Sequence, residues 1–399
     1  MLTGNLPIHL PSLGILEIID CPEMQASLPK ASTICQLKLR NCREDILREL
    51  PIHVTKKLTI GGFDSVFMGG LPSTLKTLKI MNCTKLGLPT NLYYPCLEIL
   101  KLFGCGSLQS FPMDLFLNVK DLTILNCSNL KSITVAESVT VALSSLSISY
   151  CESLILLPDK MDMLLPSLTR FLIKECTNIK RLPEGGLPSS LNDFMIRNCE
   201  KLVESRMGWS LQNLASLRYL TIEGGSKDVV SFPEKGLLPT NLISLEISEF
   251  PNLTSFDSNG FENLTSLTNL SVSNCQKLER MPEEGLQHLT SLEGLVIQSC
   301  PKLECMLEEG LQHLTSLSVL LIIDCPLLMK RRWKRKAKEW RRKLECMLEA
   351  GLQHLTSLSS LLIIDCPLLM KRWRKRRKAK EWCKLAHIPI KKVDGELIE

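Results

Sequence analysis

Leu75-Lys76-Thr77-Leu78-Lys79-Ile80-Met81-Asn82-Cys83 decides how this chain folds, because the same phrase returns every twenty-odd residues. It reads Leu97-x-x-Leu100-x-Leu102-x-x-Cys105 one unit later and Leu267-x-x-Leu270-x-Val272-x-x-Cys275 far down the chain. A further x-x-Leu and then Leu-Pro or Phe-Pro usually come next. Alternation of the Leu-x-Ile kind marks a short strand with one face turned inward. The remainder of each unit, such as Leu182-Pro-Glu-Gly-Gly-Leu-Pro188, is turn-rich. Pro and Gly there favour extended or 3₁₀ pieces over full helices.

A period of roughly 20–29 residues with this pattern is the leucine-rich-repeat signature in its cysteine version. The expected fold is an α/β-type repeat solenoid: a leucine-rich-repeat arc with a concave parallel β-sheet and a mostly irregular or 3₁₀ convex side. By first position the units start at Leu13, Ile34, Thr55, Leu75, Leu97, Val119, Leu143, Leu168, Leu191, Leu217, Leu242, Leu267, Leu292, Leu317 and Leu358. The third is degenerate, with Phe63 in the cysteine slot; the tenth and eleventh carry Gly225 and Phe250 there. A stack grows by adding units, so 399 residues need not mean two or three globular domains. Such a protein works by offering a surface rather than by doing chemistry.

Twelve of the seventeen cysteines (Cys21, Cys42, Cys83, Cys105, Cys127, Cys151, Cys176, Cys199, Cys275, Cys300, Cys325 and Cys366) share the ninth slot of the repeat. That regularity, with no Cys-x-x-Cys pair anywhere, argues against zinc and disulfides. Buried free thiols in a reducing compartment are expected instead, bonding backbone carbonyls of the neighbouring coil. No apolar run of about 18 residues exists to span a membrane. Met1 to Asp20 lacks a basic start and a signal-peptide apolar stretch. The expected location is the cytoplasm or the nucleus.

Lys302 to Leu317 recurs almost verbatim as Lys343 to Leu358, and each copy ends in a tryptophan-dotted basic run. The division read from this is a solenoid over 1–329, a basic Trp-containing insertion over 330–343, a duplicated final repeat over 344–370 and a basic cap or tail over 371–399. Lys330–Lys343 holds ten Lys/Arg and one acidic residue, and Lys371–Glu381 holds eight and one. The rest of the chain has 30 basic and 40 acidic residues, so it is acidic although the whole is +6. Lys330, Arg331, Arg332, Lys334, Arg335, Arg374, Lys375 and Arg376 could hold nucleic-acid phosphates or an anionic membrane, or serve nuclear import. The plainer reading is a terminal cap in which Trp340 or Trp382 covers the last coil.

Catalytic patterns are missing. There is no Gly-x-x-x-x-Gly-Lys-[Ser/Thr] phosphate cradle, no Gly-x-Ser-x-Gly and no His-Glu-x-x-His. His288, His313 and His354 are one residue of the copied phrase Gly-Leu-Gln-His-Leu-Thr-Ser-Leu, which explains their recurrence without a metal. Glu283-Glu284 and Glu308-Glu309 lie in the same copied loop, a solvated turn. The expectation is a chain with no catalytic, cofactor-binding or metal-binding residues.

The repeat unit occurs together with Glu184 to Leu191 linking two units, Asp365-Cys-Pro-Leu-Leu, and Lys380-Glu-Trp-Cys-Lys-Leu-Ala-His-Ile-Pro389. With these motifs the chain resembles the C-terminal leucine-rich-repeat region of plant coiled-coil nucleotide-binding disease resistance proteins. The opening Gly4 to Leu13 resembles an internal stretch of such regions. The resemblance implies a module that senses pathogen effectors or effector-modified host proteins and restrains a nucleotide-switch module. ADP or ATP would bind only that other module, which has no counterpart in this chain. The duplicated terminator departs from the family and is expected to disturb stacking between the last two repeats. A ubiquitin-ligase substrate adaptor of the cysteine-repeat type stays open as an alternative. So does an extracellular ectodomain using the sequons at Asn252 and Asn263.

Solenoid arcs bind on the concave side, so exposed strand positions are the binding candidates. They are Phe103, Tyr150, Arg170, Lys174, Met195, Arg197, Tyr219 and Glu246. Aromatic and Arg side chains anchor protein interfaces. Arg170, Lys174 and Arg197 together could select an acidic partner patch.

Overall fold

The computed structural model describes residues 10–24, 28, 33–51, 55–88, 94–304, 308–328, 352–369, 371, 387–393 and 396–397. The two basic runs fall outside these residues, apart from Lys371. So do Trp340 and Trp382, and with them the polyanion-binding and capping expectations. The chain forms two compact units, Met1–Leu191 and Asn192–Glu399.

In the first unit the strands are β1 (Ile15–Ile19), β2 (Gln36–Arg40), β3 (Lys57–Gly61), β4 (Ser65–Phe67), β5 (Thr77–Met81), β6 (Lys85–Gly87), β7 (Ile99–Phe103), β8 (Ser110–Pro112), β9 (Asp121–Leu125), β10 (Ser132–Thr134), β11 (Ser145–Ser149) and β12 (Arg170–Lys174). The five-residue strands β1, β2, β3, β5, β7, β9, β11 and β12 pair parallel in that order. The short strands form two separate parallel pairs, β4 with β6 and β8 with β10. The second unit contributes β13 (Asp193–Arg197), β14 (Tyr219–Glu223), β15 (Ser244–Ser248), β16 (Asn269–Ser273), β17 (Gly294–Gln298), β18 (Val319–Ile323), β19 (Ser360–Ile364), β20 (Ile390–Val393) and β21 (Glu396–Leu397). These pair parallel from β13 to β20, and β21 folds back antiparallel on β20.

The repeat fixes where each strand begins. In all fifteen units the strand opens two residues after the first conserved position, so the fourth and sixth slots point inward. Leu78 and Ile80, Leu146 and Ile148, and Leu270 and Val272 are buried there. Each such side chain contributes about 1.5–3 kcal/mol by leaving water. Between one long strand and the next, helical structure amounts to short turns. There are 3₁₀ turns at Met68–Gly70, Met113–Leu115 and Leu211–Asn213, and α turns of four or five residues such as Met161–Leu164 and Glu200–Glu204. This is the irregular side that the Pro- and Gly-rich pattern predicts.

The eighth slot does what no simple pattern announces. In every one of the fifteen units this residue is left-handed, with φ between +49° and +76°. The turn lets its N–H extend the ladder to the strand end of the next coil, as from Asn82 to the Phe103 carbonyl at 2.7 Å and from Asn274 to Gln298 at 2.9 Å. Asn, Asp or Gly, the residue types that accept this conformation, fill eleven of the fifteen slots. Tyr150, Glu175, Glu249 and Ser299 hold it against their preference.

That turn also aims the thiols. Cys199 Sγ donates to the Arg197 carbonyl at 3.3 Å, and Cys151, Cys275 and Cys366 bond likewise to the residue two before each. The sequence places the acceptor on the neighbouring coil. Bonds of that kind occur, as from Cys42 to Ile18 at 3.5 Å, but the main acceptor is the end of the coil's own strand. The left-handed eighth residue brings the ninth side chain back over the seventh carbonyl. All fourteen described cysteines are free thiols. Burial pushes the Cys83 thiol up, and a hydrogen bond donated to Cys127 together with burial does the same to Cys105.

The degenerate units compensate one another. Phe63 and Phe250 are buried in the cysteine slot. A Cβ on Gly225 would lie 2.6 Å from Phe250 Cγ, so the large ring occupies the space that its neighbour vacates. Phe250 also packs on Phe232, ring centres 5.4 Å apart.

The ladder runs undisturbed through the duplicated end, contrary to the expectation from the copied terminator. β18 and β19 pair over five residues, from Val319 opposite Ser360 to Ile323 opposite Ile364. Ser359 N and Oγ both reach the Ser318 carbonyl, at 2.9 and 3.0 Å. A 41-residue offset therefore keeps the same register as a 25-residue one. Beyond it the ladder gains a strand that the repeat count does not include. Ile388 is buried, His387 Nε2 lies 3.2 Å from the Leu355 carbonyl, and β20 pairs with β19.

Two measurements test this scheme. In native protein an alkylating reagent should label Cys35 and Cys96 quickly, both exposed, and leave Cys83, Cys105, Cys127, Cys151, Cys176, Cys199, Cys275, Cys300, Cys325 and Cys366 unmodified until unfolding. Rapid native labelling of most of those ten would contradict the packed interior. In urea, Glu249→Asn should gain about 1 kcal/mol by relieving a left-handed glutamate. Gly224→Ala should lose about 1–2 kcal/mol, because φ is +76° and the new Cβ meets Asn198 Cα at 3.0 Å.

Candidate protein-binding face

Slots three, five and seven of each strand leave the sheet on its outward side, and they carry the unit-to-unit variation. Chemistry elsewhere is sparse. Among the described residues no group of three or more His, Cys, Asp or Glu side chains is placed to hold a metal ion. His288, His313 and His354 each sit beside the preceding glutamine, with Nε2–Nε2 separations of 3.4, 3.2 and 3.3 Å, three copies of one local surface pair. No helix of the described residues is long and apolar enough to cross a membrane. Asn252, one of the two sequons, donates its amide to the Lys227 carbonyl at 2.6 Å and accepts from Lys277 Nζ at 2.7 Å. A glycan there would break a coil-to-coil tie.

In the first unit the structure brings Tyr150 and Lys174 together and leaves Arg170 at the far end of the same strand. Arg170 opens β12 and is exposed, and Lys174 closes it, with Leu172 between them. Tyr150 is off the strand, in the left-handed eighth slot of the preceding coil, and 43% exposed. Lys174 Nζ lies 5.4 Å from the centre of its ring. Phe103 stands apart at the end of β7, half-buried, with Lys79 Nζ 4.9 Å from its ring centre.

The second unit places Met195, Arg197, Tyr219 and Glu246 on β13, β14 and β15. Register sets Met195 opposite Thr221, Thr221 opposite Glu246, and Arg197 opposite Glu223. Thr221 Oγ1 donates to Glu246 Oε2 at 3.3 Å. Arg197 Nη1 is 3.3 Å from Glu223 Oε2, so its charge is already engaged within its own unit. Tyr219, at the start of β14, is 46% exposed.

Charge is unevenly divided. Met1–Leu191 carries 18 Lys/Arg and 16 Asp/Glu; Asn192–Glu399 outside the two basic runs carries 12 and 24. The acidity read from the solenoid as a whole therefore belongs to the second unit. Sequence reasoning passed over a row of outward lysines in the first, Lys38, Lys79 and Lys101. The signal was present: the middle residue of Leu-x-Leu or Leu-x-Ile is lysine in three of the first five units. It also passed over the outer side of β18 and β19, where Leu321, Ile323, Leu362 and Ile364 make both the fifth and the seventh slot apolar.

A stack of parallel five-residue strands, a left-handed turn in each coil and a thiol in most of them define a leucine-rich-repeat protein. Over 236 residues, 51% of the chain, it is 36% identical to an Arabidopsis thaliana protein described as a disease resistance protein, covering 16% of that protein. Over 205 residues, 46% of the chain, it is 32% identical to the Arabidopsis thaliana protein suppressor of npr1-1, constitutive 1, covering 14% of it. The chain is thus similar to the repeat region of plant disease resistance proteins, as its motifs imply, and spans about a sixth of the length of these relatives. No family model matches. Among solved structures, a circular leucine-rich-repeat protein aligns with TM-score 0.44 at 17% identity, over 74% of this chain and 47% of that one. A leucine-rich-repeat protein of Leptospira interrogans aligns with TM-score 0.36 at 19% identity, over 80% and 91%.

Proposed function

We propose that this chain is the recognition and autoregulatory repeat module of a plant immune receptor. On this reading it grips a pathogen effector or a guarded host protein through the outward side of its strands. The observation that carries the reading is the similarity to two plant proteins, one of them described as a disease resistance protein. The outer face supports it. Tyr150 with Arg170 and Lys174 in one unit, and Tyr219 with Met195 in the other, offer exposed aromatic and half-buried or exposed cationic and thioether groups on a rigid ladder. Such groups supply most of the energy of protein interfaces. A rigid strand array also loses little entropy on binding. The plant relatives favour this reading over a ubiquitin-ligase adaptor.

The test is proximity labelling in leaf tissue challenged with pathogen. Arg170→Glu with Lys174→Glu, or Tyr219→Ala with Met195→Ala, should weaken capture of a labelled neighbour by about ten- to a hundredfold, roughly 1.4–2.7 kcal/mol. The unfolding midpoint should be unchanged, since these side chains are outside the core. An unaltered set of neighbours in both double variants would remove these two patches as the recognition surface. A fall in stability along with capture would make those residues structural.

A further inference from the structure

Two rows of side chains run across the strands of the first unit on its outward side. In the fifth slot, Lys38, Thr59, Lys79, Lys101 and Thr123 face one another in register from β2 to β9. In the seventh slot of β5, β7 and β9, Met81, Phe103 and Leu125 do so. Strand spacing sets neighbours in a row about 4.8 Å apart, and two residues along a strand set the rows about 6.6 Å apart. From these rows we infer that this face docks an acidic, amphipathic α-helix of another protein, laid across the strands. The inference rests on the recognition role proposed above and names the chemistry of the partner.

Lys79 and Lys101 are directly opposed, an arrangement that destabilises a strand pair. Nearby groups relieve it only weakly. Lys101 Nζ is 4.0 Å from Asp121, both over a third exposed, and Lys79 lies over the Phe103 ring. Lys38 has one exposed partner, Glu17, at 3.0 Å. A like-charged pair so weakly compensated marks a position held for another purpose. Beside it, half-buried methionine, phenylalanine and leucine form a continuous apolar strip across three adjoining strands.

The two rows select the occupant. Side chains on one face of an extended strand make a single row, so a strand cannot serve lysines and apolar groups lying side by side. An α-helix presents two adjacent stripes, and its residues at i and i+4 are about 6 Å apart, close to the spacing between Lys79 and Lys101. Carboxylates on one stripe meet the lysines while apolar residues on the next cover Met81, Phe103 and Leu125. Nucleic acid would use the lysines and leave the apolar strip without a role.

The probe is a fluorescein-labelled helix of about sixteen residues with Glu at i, i+4 and i+8 and Leu at i+3, i+7 and i+11. It is titrated into the full chain beside a scrambled peptide of equal charge and an oligothymidylate. The helix should bind at least about tenfold more tightly than either control. Lys79→Thr should weaken it about tenfold while raising the unfolding midpoint, a combination that a purely structural lysine would not give. Phe103→Ser should weaken it several-fold. Equal binding of the scrambled peptide or the oligonucleotide would overturn the inference, as would absent binding or unchanged affinity in Lys79→Thr. The Arg170→Glu, Lys174→Glu variant should still bind the helix. If that variant keeps its plant neighbours yet the helix binds wild type, the wider recognition surface has failed and this one stands.

Discussion

Each coil can stack on the next because the residue that ends its strand is left-handed. A five-residue strand must stop, turn toward the interior and still leave no buried backbone group unpaired, since each orphan costs about 1–3 kcal/mol. The eighth residue does this in one step. Its N–H continues the ladder to the following coil, and the reversed backbone carries the ninth side chain over the strand's last carbonyl. A thiol suits that position: it is small enough for a tight turn, donates weakly to the carbonyl, and is otherwise apolar among leucines. Removing the left-handed turn would cost the ladder bond and the sulfur bond together.

Local irregularities are absorbed between neighbours rather than within units. Gly225 and Phe250 depart from cysteine in opposite directions, and the ring of one fills the space left by the other. The duplicated segment between β18 and β19 lengthens a coil without shifting its register, because register is set by the inward fourth and sixth residues and not by loop length. A nearest-neighbour stack tolerates such changes more readily than a single core, which transmits strain in all directions.

The outer side of the strands is free of these constraints, so its chemistry varies from coil to coil. The first unit offers lysines beside apolar groups, and the second offers acidic and aromatic groups on β13 to β15. Both are carried on backbone held by five ladder positions per strand. Positional accuracy and chemical variety therefore come from different faces of the same strand, which is the physical basis for reading this surface as one that recognises proteins.

Residue order alone settles the repeat, the place where each strand opens, the inward residues and the shared site of the thiols. Period-two alternation and a fixed first position leave no other register. It also carries the preference for Asn, Asp and Gly in the eighth slot, although that preference is intelligible only once the φ of Asn82 or Asn274 is known. Which outward residues meet is a matter of the folded stack. Lys79 faces Lys101 and Tyr150 meets Lys174 because consecutive coils stack in register, a relation between residues more than twenty positions apart. Folding likewise engages Arg197 with Glu223 and adds a strand at Ile390–Val393 where the repeat motif has already faded. Inward positions obey the hydrophobic period and so are legible one residue at a time. Outward positions acquire meaning only from their neighbours in space.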